Sequence, residues 1–360
     1  MEPRKYEYID SLRGIAILLV LLVHASQLGS RLTFFPKPLA DFITNGQFGV
    51  QLFFIVSSYT LMLSYESRRT ETHATRNFFL RRFFRIAPMY YLAVVYYALG
   101  RASNFHFSSF SRSKLNLLEI LANLGFTHGF SPSFINHFVP GGWSIAVEMC
   151  FYCVLPLLYR KIRNLNDSLL LVVGSLLFSV GLNLLLKETS IGKYRFLYYY
   201  FPNQFPVFSL GILAYFIIKR PERIKSDTLL ILVLSLFILS YLSIPAHFQY
   251  GLLFFVLIVT LAKKPYPFFC NRILSYIGQI SFSIYLIHFV LLHWLVSYKQ
   301  VDFIPVTNFI TASANFLIRY SILLGVSGVV AHFTYQYIEI PGQRLSKRFL
   351  KRKVAVLEPA

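Results

Sequence analysis

An imidazole set in apolar sequence can take and return a proton near neutral pH, and His24 closes such a run, Ile15 to Val23. Arg13 stands eleven residues earlier. At 100° per residue that offset is three full turns plus about 20°, so on a helix the two share a stripe, separated by about 16 Å of rise. Asp10 lies three residues before Arg13 and can pair with it. The pattern is a line of polarity leading from one end of a helix to a general base at mid-depth. A neutral histidine hydrogen-bonded inside a bundle would leave the same trace, and this stretch alone leaves both readings open.

Three further groups of residues carry chemistry. Arg81, Arg82 and Arg85 open a later apolar run, with Arg82 and Arg85 on one helical face. Their guanidinium forks suit phosphate, although a basic cap on a membrane helix looks the same. Trp143 and Ser144 precede Glu148, which lies about 7 Å further along a helix, and Tyr152 follows four residues later on the same face. A carboxylate there needs a cavity or a partner: it could orient the base, hold a hydroxyl, or pair with Arg319 from the last apolar run. Finally Ser281, Ser283, Tyr285, His288 and His293 crowd one run, as site residues or as polar ties between helices. Cys150 and Cys153 form a C-x-x-C inside apolar sequence and read as packing residues; no metal site is expected. Most histidines in loops are solvated, and His106, His128 and His137 lie in the longest loop.

The elements that must position these residues are membrane spans. The chain has 360 residues, of which 56% are apolar and only 14% charged, too few charges to cover a soluble surface of this size. Its net charge of +20 does not mark a nucleic-acid binder, because the basic residues fall in short clusters between apolar runs. Those runs predict an all-α, polytopic transmembrane bundle with about ten spans: 14–30, 47–65, 83–100, 143–160, 168–186, 203–218, 228–245, 247–262, 274–297 and 312–338. The stretch 115–130 is too short for another span and is expected to be re-entrant or interfacial. With both termini cytoplasmic, 25 of the 35 Lys and Arg residues fall on the inside and 9 on the outside. Residues 1–343 are read as the membrane domain. Residues 344–360 are read as a basic cytoplasmic tail lying on anionic headgroups.

In this order, the pieces resemble the acyltransferase 3 family of bacterial inner-membrane enzymes. The resemblance runs nearly end to end. It begins at Tyr8-Ile9-Asp10-Ser11-Leu12-Arg13-Gly14 with the Arg13-x10-His24 spacing, and continues through 49–57 and Phe79 to Pro88. Next come Trp143 to Glu148 with Phe151-Tyr152 and Pro156, then Phe208 to Ile212, Ile280 to His288, and Tyr337 to Gly342. It implies a multi-pass enzyme that transfers an acyl group, usually acetyl from acetyl-CoA, to a hydroxyl of a surface carbohydrate such as O-antigen, exopolysaccharide or lipo-oligosaccharide. In the family pattern Arg13 and His24 are the essential pair, Arg82 and Arg85 match Arg-x-x-Arg, and Trp143, Ser144 and Glu148 match Trp-Ser…Glu.

On this basis His24, Arg13 and Glu148 are the expected catalytic residues. Arg82, Arg85 and Arg81 are expected to hold the CoA phosphates, and Trp143, Ser144, Tyr152 and His288 to line the acceptor site. Two departures are expected: Ser58 replaces the glycine that usually follows Ser57, which would reshape the site, and the C-terminal hydrolase-like domain that some members carry is expected to be lacking. The rival functions are a proton-coupled transporter of a small solute or glycan precursor, for which buried His, Glu and Arg also serve, and a catalytically inert scaffold.

Overall fold

The computed structural model describes residues 7–29, 32–102, 116–189, 191, 196–220, 228 and 244–352. Among these residues every regular element is helical. The long helices are α1 (Glu7–Ser26), α3 (Gly49–Glu66), α4 (Ala74–Ala102), α6 (Gly142–Lys161), α7 (Leu165–Leu186) and α9 (Phe201–Lys219). They continue with α10 (Ala246–Lys263), α12 (Ser281–Ser297) and α13 (Phe309–Thr334). Shorter pieces are α2 (Lys37–Asn45), α5 (Leu117–Leu124), α8 (Phe196–Tyr199), α11 (Arg272–Gln279) and α14 (Ile340–Arg352). Among the described residues eight segments are long and apolar enough to cross a bilayer, and the bent pair α11–α12, taken as one span, makes a ninth. The expected span 228–245 lies almost wholly outside the described residues.

The spans differ from their sequence boundaries for local reasons. The first helix starts at Glu7, well before 14, because Asp10 and Arg13 satisfy each other at 3.0 Å and let the polar first turns continue the helix. The stretch expected as 274–297 is broken: α11 and α12 meet at Ile280 with a 71° bend. The break lies where Gly278 touches α1. A side chain at Gly278 would overlap the Asp10 carbonyl oxygen, and one at Gly14 would overlap that of Leu274, so two backbones meet with nothing between them. The 115–130 stretch is the eight-residue α5 followed by a 3-10 turn, Thr127–Phe130, about 12 Å of helix and too short to span.

The last span does not stop at 338. It passes through a π-helical turn, Tyr335–Glu339, into α14, so helix runs on across residue 344. The segment Phe309–Leu350 has 42 residues, about 63 Å, twice the hydrocarbon thickness, so α14 projects past the bilayer. There it packs on α4, with the Phe84 and Phe349 rings stacked 5.4 Å apart.

Helix α1 is the axis of the bundle. Leu12, Ile17 and Leu21 are fully enclosed, and α1 contacts α3, α11, α12 and α13. Helices α9 and α10 run parallel: His247 near the start of α10 donates to the Asn203 carbonyl near the start of α9, 2.8 Å away. Thus α9 ends at the opposite end of the bundle from where α10 begins. Arg319, buried in α13, is tied to the far end of α1. Its Nε reaches the Ala25 carbonyl at 3.1 Å, and its Nη1 meets Asp302 at 2.8 Å and the Val301 carbonyl at 2.6 Å. Its partner is therefore Asp302, not Glu148; a carboxylate from the adjacent loop is at hand and Glu148 is engaged elsewhere.

Candidate active site

The site is a file of three cavities along α1. The first, about 540 Å³, opens at the basic end and is lined by Asp10, Arg13, Thr60, Ser64, Arg82 and Arg85. Helix α3 turns a polar stripe toward it. Thr60 accepts from Arg13 at 3.3 Å, and Ser64 accepts from Arg82 at 3.3 Å. The three guanidiniums are unequally satisfied. Arg13 has Asp10 and Thr60, the buried Arg82 Nε has no partner, and Arg85 makes no hydrogen bond or ion pair among the described residues. Under-satisfied guanidiniums around an open mouth are suited to phosphate oxygens. Arg81 does not join them. It lies one residue round the helix from Arg82 and pairs with Glu71 at 2.9 Å.

Arg13 and Arg85 also line the second cavity, a constriction of about 80 Å³ shared with Phe53, Phe54, Ser57, Ser144, Glu148 and Tyr285. That volume holds only a few waters. Glu148 is fixed here by two donors on one oxygen. The Ser57 hydroxyl donates to Oε1 at 2.5 Å and the Tyr152 hydroxyl at 2.7 Å, which leaves Oε2 for other partners. Tyr152 thus stands behind Glu148 and lines none of the three cavities. Glu148 lies with the arginines and not beside Trp143, because five residues along α6 carry it from the third cavity into the second.

Val50 and Tyr285 line both the second cavity and the third, which has about 250 Å³ and contains His24, Gln27, Gln47, Asn136, Trp143, Tyr198 and Tyr199. His24 is half-buried, so its ring is reachable. Its Nδ1 lies 3.1 Å from Gln27 Oε1. The amide oxygen only accepts, so Nδ1 carries the proton and Nε2 keeps its lone pair. The His288 ring lies 5.2 Å from that of His24, and Phe289 packs edge-on to His24 at 4.8 Å. His288 is fully buried, its Nδ1 donates to the Ile284 carbonyl at 3.2 Å, and it does not line the cavity. One wall is aromatic, with the Trp143 ring 4.8 Å from Tyr199 and 5.9 Å from Tyr198. Ser144 donates to Tyr285 at 2.9 Å, and Tyr285 donates to the Gly141 carbonyl at 3.0 Å, which fixes the start of α6.

The family model described as an acyltransferase domain matches residues 6–332. The chain belongs to the acyltransferase 3 family. It is 26% identical over 78% of its length to "Putative acetyltransferase ORF330" of Acidianus two-tailed virus, covering 81% of that protein. It is 25% identical over 94% of its length to "O-acetyltransferase OatA" of Staphylococcus aureus (strain NCTC 8325). A further relative in strain COL, named "Putative O-acetyltransferase", is 24% identical over 94% of this chain. The chain spans 57% and 58% of the lengths of these two staphylococcal proteins. No solved structure matches it. The family and the apolar helices make the chain a membrane acyltransferase, and these two staphylococcal relatives carry the name O-acetyltransferase.

Within this acyltransferase 3 fold, the departure at Ser58 leaves the cavities untouched. Ser58 is buried and turned toward α9, where a side chain at Gly211 would overlap its hydroxyl, so the glycine that permits close approach sits on the partner helix. Ser57 alone faces Glu148. Sequence reasoning missed Gln27, Ser57 and Thr60 as partners of His24, Glu148 and Arg13. Gln27 was findable, since it lies three residues beyond His24; the other two come from a different helix. Of the loop histidines, His106 lies outside the described residues. His137 joins Glu119 at 2.6 Å, and Arg101 reaches the same carboxylate at 3.0 Å. His128 is buried, not solvated, and its Nε2 donates to the Gly142 carbonyl at 3.1 Å, bracing the turn before Trp143. Burial pushes its imidazole below the ordinary histidine range, partly opposed by that carbonyl.

Proposed function

We propose that the protein acetylates a carbohydrate hydroxyl with acetyl-CoA as donor, in the inner membrane of a bacterium, with the basic end of the bundle in the cytoplasm. The observation that carries this reading is the file of cavities from three arginines to His24. The nucleotide phosphates sit against Arg82, Arg85 and Arg13. The thioester arm, a linear chain, threads the constriction past Glu148, whose free Oε2 accepts from an amide N–H of the arm. The sugar enters the third cavity from the opposite side and stacks on Trp143, Tyr198 and Tyr199. The charge bias across the spans supports the orientation.

The acceptor hydroxyl donates its proton to His24 Nε2 while its oxygen attacks the thioester carbonyl. The tetrahedral intermediate collapses, the C–S bond breaks, and the departing thiolate takes the proton back from the imidazolium. Gln27 holds the productive tautomer throughout. Transfer through an acetyl-imidazole would use the same lone pair. His288 buttresses the His24 ring.

The test is acetyl transfer from labelled acetyl-CoA by purified protein, wild type against His24→Ala. Loss of transfer, with retained binding of CoA, is expected. A folded His24→Ala protein that transfers at the wild-type rate would overturn the reading. A wild-type protein that neither transfers nor hydrolyses acetyl-CoA but moves solute across vesicles would favour transport.

A further inference from the structure

A fourth cavity, about 910 Å³, lies outside the catalytic file between the end of α3, the start of α4 and the end of α6. On α4 its lining residues Arg76, Phe79, Leu80 and Phe83 fall at i, i+3, i+4 and i+7, one continuous stripe. Arg82 and Arg85, which serve the catalytic mouth, lie on a different face of the same helix. Arg69 from the end of α3 and Arg160 from the end of α6 complete a basic rim. Tyr65 and Tyr159, rings 4.7 Å apart, line it beneath.

The guanidiniums on this rim, Arg69, Arg76 and Arg160, have no carboxylate in direct contact among the described residues. The nearby carboxylates are taken: Glu71 binds Arg81 at 2.9 Å and Arg68 at 3.6 Å, and Glu66 binds Arg220 at 2.5 Å. Beside the rim, Phe79 and Phe83 remain 37% and 39% exposed, an apolar flank that a soluble anion would leave uncovered. An anionic head with apolar chains attached matches both halves of the groove, and the groove sits where basic helix ends meet the membrane surface.

We infer that this groove is a binding site for an anionic phospholipid, with the headgroup phosphate held by Arg69, Arg76 and Arg160 and an acyl chain lying on Phe79 and Phe83. The bound lipid ties the ends of α3, α4 and α6 together. Two of these helices carry Ser57 and Glu148, and α4 carries Arg82 and Arg85.

The experiment uses the full chain in nanodiscs of phosphatidylcholine, titrated with phosphatidylglycerol and read by native mass spectrometry of the ejected protein–lipid complexes. The variant R69Q/R76Q/R160Q is expected to bind phosphatidylglycerol about a hundredfold more weakly, at roughly a factor of five per lost arginine. The lysine triple R69K/R76K/R160K is expected to restore much of that binding, which separates lost charge from lost fold. R68Q/R163Q, outside the groove, is expected to bind as wild type does. Unchanged phosphatidylglycerol binding by R69Q/R76Q/R160Q would overturn the inference. So would displacement of the lipid by acetyl-CoA, because the groove would then belong to the nucleotide.

Discussion

Replacing Gln27 with leucine tests the proposed chemistry at its most specific point. Gln27 is exposed to the third cavity, so the branched chain meets no packing obstacle, while the acceptor 3.1 Å from His24 Nδ1 disappears. One neutral hydrogen bond is worth about 1 kcal/mol net, or about fivefold in rate if it is used in the transition state. The freed ring also samples orientations that carry Nε2 away from the attacking oxygen, where displacements of about 1 Å are costly. The turnover number should therefore fall roughly 5- to 50-fold, against roughly a thousandfold for His24→Ala. Affinity for acetyl-CoA should not change, because the arginines proposed to hold it line a different cavity. Gln27→Glu, which still accepts from Nδ1–H, should retain more activity than the leucine variant. The assay is single-turnover release of CoA thiol with acceptor present. Wild-type turnover by Gln27→Leu, in a preparation where His24→Ala is inactive, would show that the tautomer is not held by this bond and would refute the reasoning.

Arg82→Gln and Arg85→Gln should raise KM for acetyl-CoA about tenfold or more, with a smaller change in the turnover number, as loss of one charge-assisted bond predicts; steady-state kinetics at varied donor decides it. Ser57→Ala removes one of two donors on Glu148 and should lower turnover about fivefold, while Ser58→Ala, one residue on but facing α9, should change it little. Gly211→Ala forces a methyl group into both the Ser58 hydroxyl and the Ile55 carbonyl and should destabilise by about 1–3 kcal/mol, read as a drop in thermal midpoint in detergent, and adding Ser58→Gly should recover only part of it, because the Ile55 backbone stays in the way. Because His128 is lowered below its ordinary 6.5 in the folded state, its contribution to stability is present above pH 6.5 and is lost as pH falls through the lower folded value. The acid-side fall in thermal midpoint should therefore be shallower in His128→Asn than in wild type, and equal slopes would contradict this.

How far the sequence carries depends on whether a feature is local. Apolar runs and the charge bias between them are properties of contiguous chain, so the spans at 47–65, 83–100, 143–160 and 168–186 were legible to within a turn or two at most ends. The exceptions are the segment 37–66, where α2 and a 3-10 turn extend the span at its start, and α4, which begins at Ala74, nine residues before the expected 83. The common stripe of Arg13 and His24 follows from helical geometry alone. So does the separation of Arg81 from Arg82 and Arg85, once the face of α4 that meets α3 is known.

Pairings between helices were not legible, because any carboxylate can answer any arginine until packing brings them within reach. Glu148 was free to pair with Arg319 on paper; in the fold it takes Ser57 and Tyr152, and Arg319 takes Asp302. The 71° break at Ile280 was hidden because the run around it is as apolar as a straight span. The sequence by itself determined that this chain lives in a membrane and which of its residues could do chemistry there, since hydropathy and residue type need no neighbours. Only the tertiary structure decided that three arginines, one carboxylate and one histidine lie in file, because a cavity is what several helices leave between them and no single helix encodes it.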